Sequence, residues 1–390
     1  MRPTEACYTA LDTRARIMRA WRFYGFGDMR LEEVPDPQPK PSHVLVEILC
    51  VQPSVTEAQL AFGVPTLAYA EIKRRLQAEA PVQLFGHEFC ARVLESPRGS
   101  RFRPGMRVAA RAKLPCEECP LCINGRADEC RKGPIIGFHL PGCFSELAVL
   151  PEIALVEVES GISDREGACL QSLSDSVAAV DTADIQLGDT VAVFGQGSMG
   201  LECMQAARTA GAGRILTVDV RYEACLVSEE LGADSAINAT SRDPVPEIRD
   251  ATGGNGADVV FECAGGSPRQ GLAGSSTLGQ AIQAVRSGGK LVVVSWFGAP
   301  LEIDVDGLRE RSLRLIFPDI SSLAHLEHTV RLVASGRIRL GPMLTHFLHG
   351  IESVQEAFEI TANKAKYGAI NPAQVSMAAS GESLRGDCPE

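Results

Sequence analysis

Two patterns of apolar and polar positions divide the chain. Up to about residue 175 the apolar runs are strand-like and widely spaced. HVLVEILCV (43–51) reads as a strand, and a proline-containing turn then leads into TEAQLAFG, which has helical spacing. A second helical stretch at 67–80 is expected to place Leu67, Ile72 and Leu76 on one face. RFRPGMRVAA (101–110) sets a Pro-Gly turn before a strand, and CFSELAVLP (143–151) reads as a strand with alternating faces. From about residue 175 short apolar runs alternate with longer helical ones. The runs fall at 190–195, 214–219, 258–263, 290–295 and 313–318, with helical stretches such as 199–210 and 222–231 between them. This alternation predicts a parallel sheet covered on both faces. After Pro318 the spacing predicts a further helix in LAHLEHTVRLVASG, followed by a mixed segment ending near Val375. There is no internal repeat and no low-complexity block.

At 390 residues the chain is too long for one ordinary core and predicts two domains. A hydrophobic fraction of 45% with 22% charged residues is that of a globular protein, and the apolar runs are too short to span a membrane. The formal charge of −11 and a pI near 5.3 argue against nucleic acid as a partner, because phosphate binding needs a basic face. Residues 1–17 lack the apolar core of a signal peptide, and Met18 would itself make a natural start. Residues 376–390 are small and polar. Both tails are expected to be disordered, and the compartment is expected to be cytoplasmic.

Charge and composition leave the chemistry open; the cysteines narrow it. Cys116, Cys119, Cys122 and Cys130 follow the spacing C-x2-C-x2-C-x7-C, which lets one loop present four thiolates to one ion. A Zn²⁺ bound by four sulfurs has no open position, so such a zinc is structural. An iron–sulfur cluster also suits four thiolates, and disulfides would need an oxidising compartment. The other nine of the 13 cysteines scatter singly through apolar segments and read as small buried hydrophobes.

GQGSMG (195–200) is G-x-G-x-x-G, placed directly after the strand TVAVF and opening a helix. Gly195 allows a tight turn, Gly197 lets the backbone approach a pyrophosphate, and Gly200 lets the helix pack close to the sheet. Ser198 and Met199 stand at the helix N-terminus, where free N–H groups face the anion. Asp219 ends the next strand, where its carboxylate can take both ribose hydroxyls of NAD; the bland alternative is a surface helix cap. Arg221 could instead meet the 2′-phosphate of NADP. NAD is the expected cofactor of the two.

With both motifs placed, the chain resembles the medium-chain zinc-binding dehydrogenase/reductase family, the alcohol and polyol dehydrogenases. Further landmarks are GHEFCARV (86–93), IQLGDTVAVFGQGSMG (185–200), ELGAD (230–234) and RSGGKLVVVSWFG (286–298). The resemblance runs from about Met18 to Val375. It implies an α/β fold: a doubly wound Rossmann sheet domain at 176–318 plus a β-rich, GroES-like catalytic domain at 18–175 completed by 319–375. It also implies a cleft between them, with hydride transfer between a carbinol carbon and nicotinamide, and a homodimer or homotetramer is expected.

The departures concern a second, catalytic zinc. Where family members carry a cysteine ligand this chain has Ser54, within QPSVTE (52–57), and Gln171 stands at the position of a Cys or Glu. His87 and Glu88 match the second ligand and its neighbouring acid. Thr56 matches the proton-relay hydroxyl, and Glu57 lengthens the acid that follows it. Neutral oxygens are poor Zn²⁺ ligands, so a catalytic zinc at His87 and Glu88 is expected to be weak or absent. Cys50 and Cys90 are alternative donors, although Cys50 falls inside the strand; His87 has the bland alternative of a buried, satisfied imidazole. Trp296 and Phe297 are candidates for a pocket wall, as is the insertion between Gln59 and Phe85. The leading reading is an NAD(P)-dependent oxidoreductase of a small alcohol or carbonyl compound, with Thr56, His87 and Glu88 as catalytic residues. The alternatives are a zinc-independent reductase of an activated C=C or iminium bond, and an inactive nucleotide-binding protein.

Overall fold

The computed structural model describes residues 17–266, 274–298, 300–318 and 320–378, so most of both tails lies outside the described residues. The segment around Met18 forms an antiparallel hairpin, β1 (Ile17–Gly25) and β2 (Asp28–Pro35). The first large sheet contains β3 (His43–Gln52), β4 (Glu88–Glu95), β5 (Arg107–Ala110), β6 (Leu147–Pro151) and β7 (Leu155–Glu157). Along β3 burial alternates as far as Ile48 and is then continuous to Gln52. Val44, Val46 and Ile48 face a core with Phe23, Phe85, Phe144 and Phe358, whereas Leu49 and Cys50 face a second core. The end of β3 is therefore wedged between two apolar masses, and Gln52 is deep inside.

The second sheet has six parallel strands: β8 (Thr190–Phe194), β9 (Arg214–Asp219), β10 (Ser235–Asn238), β11 (Ala257–Glu262), β12 (Val285–Val293) and β13 (Arg314–Ile316). Their order is β10-β9-β8-β11-β12-β13. The direction of winding reverses between β8 and β11, and a crevice opens at the carboxyl ends of these strands, where doubly wound sheets bind ligands. β14 (Phe347–His349) and β15 (Gln374–Ser376) then join the first sheet, β15 pairing antiparallel with β3. The helix Leu170–Ala183, buried along most of its length, links the two halves.

Several expectations shift. The strand read at 143–151 begins only at Leu147, its first residues being held by an isolated bridge between Ala20 and Ser145. The second early helix is Tyr69–Glu79; Ile72 and Leu76 are buried, but Leu67 precedes it and is 41% exposed. The insertion at 59–85 is thus tied to the first core through one helix face. β10 and the helix Pro244–Ala251 were not read from the pattern, because SAIN is only four residues long and the helix starts on two prolines. The boundary at 175/176 falls inside the helix Leu170–Ala183. The helix Leu323–Ala334 packs in the core of that helix and the second sheet, so the return to the first sheet begins with β14 rather than at 319.

Candidate functional site

The four-cysteine loop projects after β5. A short turn of helix, Pro120–Ile123, starts at Cys119 with Pro120 in its first position. The ligand atoms of Cys116, Cys119, Cys122 and Cys130 lie within 4.8 Å of one another. Sγ–Sγ distances are 3.9 Å for Cys116–Cys122, 3.6 Å for Cys119–Cys122 and 3.8 Å for Cys119–Cys130. Four sulfurs bound about 2.3 Å from one tetrahedral Zn²⁺ stand about 3.8 Å apart, so the loop is already spaced for the ion. A disulfide needs about 2.0 Å, and all four thiols are free. The Cys116 N–H donates to Cys130 Sγ at 3.3 Å; with the Lys132 N–H, it outweighs burial and draws that thiol down to about 6. The buried Arg111 ties the lobe to the sheet through Asp128.

At the crevice of the second sheet, the three glycines meet different demands. Gly195 has φ +87°, and a Cβ there would lie 2.7 Å from Ala264 Cα at the end of β11. A Cβ on Gly200 would lie 1.7 Å from Gly195 O, so only glycine lets the helix Ser198–Thr209 start so close to β8. At Gly197 a Cβ would meet only Lys364 Nζ, at 3.5 Å, so backbone is exposed on the side an incoming phosphate needs. Ser198 Oγ is buried without a hydrogen-bond partner at the helix N-terminus, and Met199 lies beside Ser176. These residues fit a pyrophosphate. Asp219 is buried; its Oδ2 accepts from Gln196 N at 2.6 Å and its Oδ1 from Arg221 N at 2.8 Å. The Arg221 guanidinium reaches across to Ala369 O at 2.9 Å.

In the first half, His87 precedes β4, and Glu57 lies on the helix Val55–Ala61. Ser54 caps this helix: its Oγ accepts from Glu57 N at 3.1 Å, and Glu57 Oε2 accepts from Ser54 N at 3.0 Å. Glu57 Oε1 accepts from Gly86 N at 2.8 Å and stands 2.6 Å from His87 Nδ1. The N–H direction of Nδ1 is not aligned with that oxygen, so this contact is an ion pair more than a hydrogen bond. Burial opposes charge on His87, but Glu57, Glu88 and Asp175 outweigh it and lift the imidazole to about 9. Glu88 Oε1 is 4.0 Å from His87 Nε2. Burial raises Glu88 to about 7, against the opposing pull of His87 and the Gln52 amide. Gln171 Nε2 donates to Asp175 Oδ2 at 2.9 Å. Thr56 is half-buried in the first turn of its helix.

Known proteins resemble both halves. Residues 40–160 match the alcohol dehydrogenase GroES-like domain, and residues 198–330 match the zinc-binding dehydrogenase domain. The erythritol/L-threitol dehydrogenase of Mycolicibacterium smegmatis is 32% identical over 74% of this chain and 78% of its own. The chain belongs to the medium-chain zinc-binding dehydrogenase family. Proteins of this family are alcohol dehydrogenase-like oxidoreductases that use zinc and a nicotinamide cofactor, and this chain is an oxidoreductase of that kind. An L-threonine 3-dehydrogenase of Pyrococcus horikoshii is 29% identical over 86% of this chain and 92% of its own. The crystal structure of a zinc-binding dehydrogenase from Sinorhizobium meliloti 1021 bound to NADP superposes with a TM-score of 0.80 at 28% identity, covering 93% of this chain and 99% of that one.

In the cleft of this dehydrogenase, the residues at the expected ligand positions have other partners. Among the described residues, the group of three or more potential ligands gathered closely enough to share an ion is that of the four cysteines. Ser54 and Glu57 are bonded to each other, and the Glu57 carboxylate also meets Gly86 N and His87. Cys50 and Cys90 are paired across β3 and β4 inside the second core, where burial pushes both thiols up. Trp296 is 62% exposed, while Phe297 packs against the second sheet's core. Three residues escaped the sequence reading. Lys364 faces Gly197, and burial, with Arg221 adding to it, lowers its pKa to about 8. Asp175 lies one helical turn beyond Gln171, and Gln52 lies behind Glu88. The i, i+4 spacing of Gln171 and Asp175 was the available signal; nothing in the sequence pointed to the other two.

Proposed function

We propose that this dehydrogenase uses NAD to oxidise a small polyol or comparable alcohol, with one structural zinc in the cysteine loop and acid–base chemistry supplied by the cleft's own side chains. The observation that carries the reading is the His87 cluster. An imidazole lifted to about 9 sits between Glu57 and Glu88, and Glu88 is itself raised to about 7. A base is most effective when its pKa lies near the working pH, and Glu88 meets that condition. In the oxidation direction Glu88 is the base for the hydroxyl proton, and Thr56 is the hydroxyl that the family resemblance assigns to the relay. The His87 imidazolium, fixed by Glu57, faces the oxygen on which negative charge develops. When bound, the nicotinamide supplies the hydride acceptor. Asp219 favours ribose hydroxyls over a 2′-phosphate, while Lys364 and the N-terminus of Ser198–Thr209 hold the pyrophosphate.

The cysteine loop, when loaded, closes its lobe and takes no part in the chemistry, since four thiolates leave zinc no open position. A polyol substrate class is supported by the erythritol/L-threitol relative. The test is turnover of NAD⁺ with erythritol, L-threitol and L-threonine in parallel, on protein of measured zinc content. Reduction of NAD⁺ by a tetritol with one zinc per chain supports the reading. Inertness toward every alcohol, with reduction of an enone by NADH, would replace it with carbon–carbon double-bond chemistry.

A further inference from the structure

β3 and β4 pair antiparallel with Gln52 opposite Glu88, which puts both side chains on the same face of the sheet. Gln52, Cys169, Asn371 and Gln374 are fully buried around this pair. Gln52 Oε1 accepts from Asn371 Nδ2 and Gln374 Nε2, each at 2.9 Å, and from Cys169 Sγ at 3.4 Å. Gln374 is itself fixed: its Nε2 donates to Arg165 O at 2.8 Å and its Oε1 accepts from Arg165 Nε at 3.2 Å. With three donors converging on one end of Gln52, that end must be the carbonyl, because a turned amide would set donors against donors. The amino end is therefore aimed at Glu88 Oε2, to which it donates. This occupies one oxygen of Glu88 and leaves Oε1 toward His87 Nε2, 4.0 Å away.

We infer that Gln52 is a positioning residue that locks the Glu88 carboxylate with a single oxygen presented to the cleft. A core that only needed filling would use an apolar side chain here, since a buried amide is costly unless it is hydrogen-bonded, and both ends of Gln52 are. The lock draws on β3, on the residue just before the helix Leu170–Ala183 and on the chain's return segment, so three distant parts of the sequence orient one carboxylate. The inference rests on the reading that Glu88 exchanges a proton with the substrate.

The test compares Gln52→Met, Gln52→Glu, Glu88→Gln and the Gln52→Met/Glu88→Gln double variant, using NAD⁺ with erythritol, NADH titration and thermal unfolding. Loss of one hydrogen bond to a charged group should lower kcat in Gln52→Met about tenfold, with KM and NADH affinity unchanged. In the Glu88→Gln background the same change should cost nothing further. Equal losses in both backgrounds, or losses that follow stability alone, would overturn the inference. Gln52→Glu keeps an acceptor for Asn371 and Gln374 and so guards against misfolding of the methionine variant. Its second oxygen opposes Glu88, and wild-type kcat in this variant would also overturn the inference. If the wild type oxidises no alcohol, the proposed function fails while the lock stays testable. The imidazole NMR signal of His87, assigned by its loss in His87→Ala, must then move in Gln52→Met; an unmoved signal overturns the lock.

Discussion

Ser54 and Gln171 stand where the family resemblance places metal ligands, and both are engaged elsewhere, in a helix cap and on Asp175. Purified protein should therefore carry one tight zinc per chain, and neither mild chelation nor His87→Ala should change that count in elemental analysis. For Glu88, raised to about 7 by burial, the basic form grows as pH rises, so kcat/KM for alcohol oxidation should climb to a plateau above about pH 7. Glu88→Gln should remove that limb from the pH–rate profile. At the ribose end, Asp219→Ser should release Arg221, now 3.4 Å from the carboxylate, and shift relative affinity toward NADPH by about tenfold in paired titrations. Asp219 and the three glycines were legible because their roles follow from local backbone geometry. Lys364 was not, because it approaches Gly197 from the far end of the sequence, and no periodicity records such a meeting.

Among the elements, the cysteine lobe has little apolar core of its own, since its short helix Pro120–Ile123 buries no residue. Arg111 with Asp128 ties it to the sheet, and if the four thiolates share a zinc as proposed, Cys119→Ser should remove that zinc and lower the unfolding temperature by several degrees in a thermal scan. The helices Leu170–Ala183 and Ser198–Thr209 enclose Glu202, whose oxygens accept from Ser172 and Ser176 at 2.9 and 2.8 Å. Burial raises Glu202 to about 8, above its ordinary 4.5. The folded state then holds a proton that the unfolded state releases, so stability falls as pH climbs from about 4.5 to 8. Denaturant titrations of Glu202→Gln should show a gain over wild type that is absent at pH 4 and reaches on the order of 5 kcal/mol at pH 9. The long helices and five of the second sheet's strands could be read from their periodicity. β10 and the proline-led helix beside it could not, because short elements are decided by their neighbours.

At the scale of the whole molecule, the alternation of short apolar and helical runs announced the parallel sheet. The reversal of strand order between β8 and β11 then places GQGSMG at the mouth of its crevice. The antiparallel sheet was less legible, since its strands come from both ends of the chain and β15 reaches β3 only after the second sheet is complete. Gln52 finds its partners Asn371 and Gln374 after separations of 319 and 322 residues. During synthesis at roughly 5–20 residues per second, a new chain waits roughly 15–60 s between making Gln52 and making the residues that hold it. Throughout that interval the Gln52 carbonyl lacks its two amide donors, and the end of β3 is paired with β4 but lacks β15. The glycine turn and Asp219 lie in contiguous sequence and can form early, whereas Lys364 reaches Gly197 only when synthesis is nearly complete. A chain ending before residue 374 lacks both the Gln374 donor to Gln52 and the pairing of β15 with β3, and is expected to lose alcohol turnover in the NAD⁺ assay.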